Sequence, residues 1–472
     1  MVKIGLGFKE KPHLRLLVAI LGLAMAVGIV VGFETRAAFL VLGLLAAIII
    51  FLRPYLGLLL LPVLHVFAIN ASPVIDLPKV AYYLLMMIVL VGGLLRIYKD
   101  RLISLGSYPV FKSTALLGLI VSLSILPAVF NNVPLEHWLR SASTLLGIFL
   151  VFPAAALLDS PKRISIFVTV LIIAIWLSAF GTAHQMMKVR GFLPSGFSWI
   201  MLSEGRPLVG ASLAITLMGM YLGLGYAIHR YKPPRKFVIP LASFPVAILT
   251  VLVCIAGLIL SGFSSVFLLG FAGVPVLLML RKSYAHLSYG KIAALAIIFL
   301  AAYFFFVNLL LSQAEVIPSE IVRAGALIFY KIETLREEGL WASTSWLGRW
   351  YEAMTALQAF ISSPIWGYGF GYEEFKGLYG STNVPFGFYI HSIIPSWLIR
   401  SGIIGLSAWV WYLWTVLKLF RKAYKHVLDP MYAMLFKAAF AGSIAVLVVS
   451  QVSSLYDDRG YGLMMGLLSG LA

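Results

Sequence analysis

The chain has 472 residues, of which 61% are hydrophobic and only 11% charged, with a mean hydropathy of +0.98; soluble domains carry roughly 25% charged residues. A soluble globule is thereby excluded, as are a disulfide-stapled domain, because there is one cysteine, and a collagen-like or low-complexity chain, because Gly and Pro follow no period. The net charge of +18 is first to be sought in the positive-inside bias of membrane loops, so no nucleic-acid partner is expected.

From the N-terminus onward, apolar runs that fit spanning helices of about 20 residues fall at 14–33, 37–52, 55–70, 79–97, 113–130, 141–158, 164–187, 207–228, 237–260, 266–280, 292–311, 392–417, 433–454 and 460–472. The fold class is therefore an all-α polytopic membrane protein with about 12–14 transmembrane helices. The first run has a basic start and an Ala24-Met25-Ala26 that resembles a cleavage site. It continues apolar to Phe33, so we read it as a retained span. Lys3, Lys9, Lys11 and Arg15 put the N-terminus inside, and the loops then alternate with 23 of the 36 Lys and Arg on the inner side. Cys254 and His65 sit within apolar runs and read as packing residues, the histidine hydrogen-bonded.

This arrangement divides the chain into helices 1–11 over residues 1–311, an outer segment at 312–391, and C-terminal helices over 392–472. The outer segment holds eight of the 18 acidic residues, and a connection of that length is usually functional. Pro318, then Ile321, Ala324, Ile328, Ile332 and Leu335, with Gly339 as a stop, predict one amphipathic helix. A second starts at Ser345, carries Trp346, Trp350, Leu357 and Phe360, and stops before Pro364. Both are expected to lie on the outer membrane surface. Arg349 and Glu352, three residues apart, read as a surface pair on the second helix. Glycines 367, 369, 371, 377 and 380 among aromatics suit a loop that approaches a ligand closely.

The run Arg349-Trp350-Tyr351-Glu352-Ala353, the stretch Ser363-Pro364-Ile365-Trp366-Gly367-Tyr368-Gly369-Phe370-Gly371, and His391-Ser392 followed by Leu398 and Gly402-Ile403-Ile404-Gly405-Leu406 resemble the O-antigen ligase/polymerase superfamily, the WaaL and Wzy proteins. Arg206-Pro207-Leu208-Val209-Gly210 is similar to the Arg-x-x-Gly stretch before a family helix. Two departures stand out. Ser261-Gly262-Phe263-Ser264-Ser265 lies where many relatives have Thr-Gly-Ser-Arg-Gly, leaving Arg323, Arg336 or Arg400 to substitute, and Ser392 replaces the Asn that often follows the histidine.

The resemblance implies a GT-C-like glycosyltransferase that moves a glycan from a polyprenyl (undecaprenyl) diphosphate to a hydroxyl at the periplasmic face of the bacterial inner membrane. The acceptor is lipid A-core for a ligase or a growing glycan for a polymerase, and the Arg-rich loop with its C-terminal His motif favours the ligase. His391 is the expected general base, since an imidazole can take a proton from a sugar hydroxyl near neutral pH. Arg190, Arg206, Arg349, Arg336 and Arg400 are the expected diphosphate ligands, because guanidinium is permanently charged and binds phosphate oxygens bidentately. Each also fits a headgroup anchor, except that Arg400, nine residues into a span, calls for a partner or a function. Trp350 and Tyr351, with Trp346, Trp366 and Tyr368, can stack on sugar or anchor at the interface. Neither a metal nor a cofactor is expected. His137 and His184 also face outward without a motif, whereas His13, His229, His286 and His426 fall on the inner side; the outer Asp457-Asp458 is the reserve base. The competing class is a lipid-linked oligosaccharide flippase or transporter. It predicts inverted repeats, charges within several helices and short outer loops, none of which the sequence displays prominently.

Overall fold

The computed structural model describes residues 47–68, 77–100, 108–189, 212–228, 240–260, 269–280, 344–373, 390–451, 453 and 458–472. Among them every regular element is helical. In sequence these are α1 Pro54–Ala68, α2 Leu77–Lys99, α3 Pro109–Leu123, α4 Ile125–Phe130 and α5 Leu135–Ser143. A 3₁₀ turn at Leu146–Leu150 leads into α6 Val151–Leu157, followed by α7 Pro161–Val189, α8 Leu213–Ile228, α9 Phe244–Leu260 and α10 Gly273–Met279. The chain then continues with α11 Thr344–Ser362, α12 Ile393–His426, α13 Pro430–Val449 and α14 Arg459–Leu471. Several starts are written locally: Pro109 and Pro430 occupy the first helical turn, where the missing N–H costs nothing. Asp429 caps α13 by accepting from Met431 N at 2.8 Å, and Asp458 caps α14 by accepting from Gly460 N at 2.8 Å.

Five helices among the described residues are long and apolar enough to cross a membrane, and a bent pair brings the number to six. This is a multi-pass membrane fold. The predicted spans at 14–33 and 292–311, most of 37–52, and the amphipathic helix after Pro318 lie outside the described residues. Two predicted spans are corrected. The run at 141–158 is not one rod: α5 and the segment Leu146–Leu157, made of the 3₁₀ turn and α6, meet at 45°. The run at 392–417 extends to His426 and is interrupted at Gly402, where φ is 64° and ψ is −163°.

Small residues bring the helices together, as they do where lipid removes the hydrophobic drive for helix association. Gly462 and Gly466 of α14 face Gly147 so closely that no Cβ fits between the backbones, and Gly257 lies against Ala179. Polar contacts tie neighbouring helix ends together. Arg96 and Arg163 share Asp159, at 2.8 and 2.9 Å. Ile393 N donates to Ser450 O at 3.0 Å, which joins the start of α12 to the end of α13. Ser212 Oγ, just before α8, donates to Asp458 at 2.8 Å.

Candidate functional site

The site is organised by the break in α12. In a continuous helix Ile403 N–H would bond to Ile399 C=O, and Ile404 N–H to Arg400 C=O. Gly402 removes both bonds, and buried backbone groups must find other partners. The turn after α11 supplies them. Tyr368 N donates to Ile399 O at 2.8 Å and Gly369 N to Arg400 O at 3.0 Å, while Ile403 N and Ile404 N donate to Pro364 O and Ile365 O at 2.9 and 3.5 Å. Ser363 Oγ closes the turn on Gly367 O at 2.8 Å. The Pro-x-x-Gly-x-Gly stretch therefore completes the broken helix. Gly367, Gly369 and Gly371 all have positive φ, and a side chain on Gly371 would meet the backbone of His137 at 2.6 Å, so α5 closes the far side.

Arg400 leaves α12 two residues before the break. Its Nε donates to Glu373 Oε1, with side-chain exposures of 3% and 1%, and its guanidinium lies 5.7 Å from the Phe370 ring centre. The buried pair ties the end of the turn to the helix. Phe370 also meets Trp397 edge-on at 5.6 Å, and Trp397 stacks on Trp409 at 5.8 Å.

Above this base, α11 and the start of α12 bring together His391 and Glu352. Glu352 Oε2 accepts from His391 Nδ1 at 2.7 Å and from the His391 backbone N at 3.3 Å. The imidazole is 35% exposed and the carboxylate 15%. The expected surface pair with Arg349 is thus corrected: Glu352 turns toward His391. Arg349, one turn earlier on α11, remains close enough to feel its charge; burial pushes the Arg349 guanidinium below its ordinary pKa and Glu352 pushes it back up. Trp350 and Tyr351 are exposed, at 49% and 58%, whereas Tyr368 and Tyr372 stack on each other at 4.2 Å beneath α11.

Of the residues singled out from sequence, the structure brings His391, Arg349, Trp350, Tyr351 and Arg400 to one end of the bundle. Arg190, Arg206, Arg336, Arg323 and Asp457 lie outside the described residues, as do the side chains of His184 and Trp346. Asp458 is engaged as a cap and as the acceptor for Ser212 Oγ and Ala214 N. His65 is indeed a hydrogen-bonded packing residue, with Nδ1 3.1 Å from Tyr82 Oη. His137 stands 2.9 Å from Arg140 Nη2 on α5, which places that pair beside the turn. Sequence reasoning missed the partnerships of Glu352 and Glu373, because these acids meet residues 39 and 27 positions away. Among the described residues no group of three or more His, Cys, Asp or Glu side chains is placed to hold one metal ion.

Residues 249–410 match the family model described as O-Antigen ligase. The match includes α11, the turn, His391 and the break in α12. No curated protein matches the chain.

Proposed function

We propose, from the match of residues 249–410 to the family model described as O-Antigen ligase, that the chain is a ligase-type glycosyltransferase of the O-antigen ligase/polymerase superfamily. It moves a glycan from a polyprenyl (undecaprenyl) diphosphate to a hydroxyl of lipid A-core at the periplasmic face of the inner membrane. The acceptor oxygen attacks C1 of the first sugar while its proton passes to His391 Nε2. The bond from C1 to the diphosphate oxygen breaks, and polyprenyl diphosphate departs with the electron pair. Direct displacement inverts C1. Arg349, together with Arg190, Arg206 and Arg336, neutralises the charge that grows on the leaving group. Fixed donors aimed at developing charge contribute several kcal/mol in a site shielded from water, so the mechanism requires no metal. Arg400 we assign to holding the turn on α12. Trp350 and Tyr351 offer exposed faces to sugar or lipid.

The observation that carries this reading is the partly exposed His391, held at Nδ1 by Glu352 inside the matched domain. That contact fixes the direction of the ring, and the side chain is partly open to an acceptor. The test is transfer in proteoliposomes with a polyprenyl-diphosphate glycan, separate lipid A-core and glycan acceptors, and EDTA throughout. Transfer to lipid A-core is expected to survive EDTA and to fall about 10²–10⁴-fold in His391→Ala, the usual contribution of a general base. Lengthening of the glycan acceptor instead makes the enzyme a polymerase working through the same site. A correctly folded protein that moves no glycan to any acceptor returns the question to transport.

A further inference from the structure

Two nitrogens of His391 converge on one oxygen of Glu352, the ring Nδ1 at 2.7 Å and the backbone N at 3.3 Å. An ionised carboxylate only accepts hydrogen bonds, and a neutral imidazole carries its proton on one nitrogen alone. Taken together, these contacts leave a single neutral form of the ring: Nδ1 protonated and donating to Glu352, Nε2 carrying the lone pair. We infer that Glu352 is the positioning residue that selects this tautomer of His391, fixes the ring against the middle of α11, and stabilises the imidazolium formed when Nε2 takes the acceptor's proton.

The placement suits that task. The α11 segment ends in the turn that completes the broken helix, and α12 begins two residues after His391. The carboxylate therefore sits on one helix and the imidazole just ahead of another, the two helices being joined through the Gly402 docking. With one oxygen gripping both ring and backbone, the ring loses translation as well as rotation. Orientation by an acid at Nδ1 is likewise how the histidine base of serine proteases is held in its working tautomer. The inference rests on His391 acting as the base, and its test is chosen so that the two ideas fail separately.

Glycan transfer is measured for wild type, Glu352→Ala, Glu352→Gln, Glu352→Asp, His391→Ala and the Glu352→Ala/His391→Ala double variant. Each is first shown to be monodisperse and to unfold at a temperature close to wild type. Glu352→Ala is expected to lower kcat about 10²-fold, within the range a base contributes, with the donor KM changed less than about 2-fold. Glu352→Asp should recover part of the loss and Glu352→Gln less, because an amide can turn its N–H toward Nδ1 and hold the wrong tautomer. The double variant should be no slower than His391→Ala, since a residue that acts through the imidazole has nothing to act on once it is gone. Independent multiplication of the two losses, or a wild-type kcat in Glu352→Ala, overturns the inference. In parallel, ¹⁵N-histidine spectra, with the His391 signals identified by their loss in His391→Ala, report the tautomer directly. Wild type should show Nδ1–H and Glu352→Ala a mixture. An Nε2–H form in wild type overturns the positioning role even if His391→Ala is inactive. Full activity of His391→Ala with the Nδ1–H signature intact instead removes the base assignment while leaving the contact in place.

Discussion

Gly367 and Gly402 meet backbone to backbone: a Cβ on Gly367 would stand 2.6 Å from Ser401 N and 2.7 Å from Gly402 N, and one on Gly402 would run into the Ile365 carbonyl. Both residues also have positive φ, at 66° and 64°. The contact is what lets the turn after α11 supply the hydrogen bonds that α12 loses.

Gly402→Ala and Gly367→Ala are accordingly expected to destabilise the protein by more than the roughly 1–2 kcal/mol that a left-handed conformation costs an L-residue, because a clash is added to the strain. Thermal unfolding in detergent checks the loss of stability, and transfer should fall with it as the turn separates from α12. An alanine at Gly348, where a Cβ would meet nothing within 4 Å, is the matched control and should change stability by less than about 0.5 kcal/mol.

Arg400 and Glu373 form a buried pair, so removing either partner strands the other charge. Arg400→Ala and Glu373→Ala should each cost about 3–5 kcal/mol, whereas Arg400→Met together with Glu373→Leu should cost much less than the sum. Denaturant unfolding of the four proteins compares these losses. Unchanged stability in Glu373→Ala, combined with a raised donor KM in Arg400→Ala, would move Arg400 from structure to substrate binding.

Asp458 works as a cap that also ties α14 to the start of α8. Replacing it by Ala removes the acceptor of Gly460 N, Ala214 N and Ser212 Oγ and should lower stability by about 1–2 kcal/mol or more, the cost of losing a cap with further bonds. Asp458→Asn retains an oxygen acceptor and should lose less. Both folded variants should transfer glycan at close to the wild-type rate. A kcat loss in Asp458→Asn as large as that of His391→Ala would make the carboxylate a participant in the chemistry.

Trp350 and Tyr351 are about half exposed, so their alanine variants should unfold within about 0.5 kcal/mol of wild type. If their faces stack on sugar, the acceptor KM should rise several-fold with little change in kcat, which initial-rate measurements at varied acceptor separate cleanly. Unchanged kinetics in both variants would leave these rings as interfacial anchors.

Features that depend on neighbouring residues are legible along the chain. Long apolar runs have no stable place in water, and the membrane class and helical fold follow from them. The start of α11 near Ser345 and its end before Pro364 are legible for the same reason, since N-caps, amphipathic spacing and proline act within a few residues. The ordered short motifs that single out His391 are local in the same sense, and the transfer assay tests the role they imply. Relationships between distant positions belong to the folded protein alone. Glu352 lies one turn from Arg349 in sequence, and a local rule pairs the two; packing instead turns it to a histidine 39 residues on. Arg400 is an isolated charge inside a span until Glu373 meets it from the turn. Gly402 sits in an apolar run whose hydropathy is blind to backbone angles, so the helix break emerges only where a second segment is present to satisfy the freed amides and carbonyls. Hydrophobic pattern is set by composition along the chain, whereas a charged pair or a broken helix is stable only when another part of the fold brings the partner within hydrogen-bonding distance.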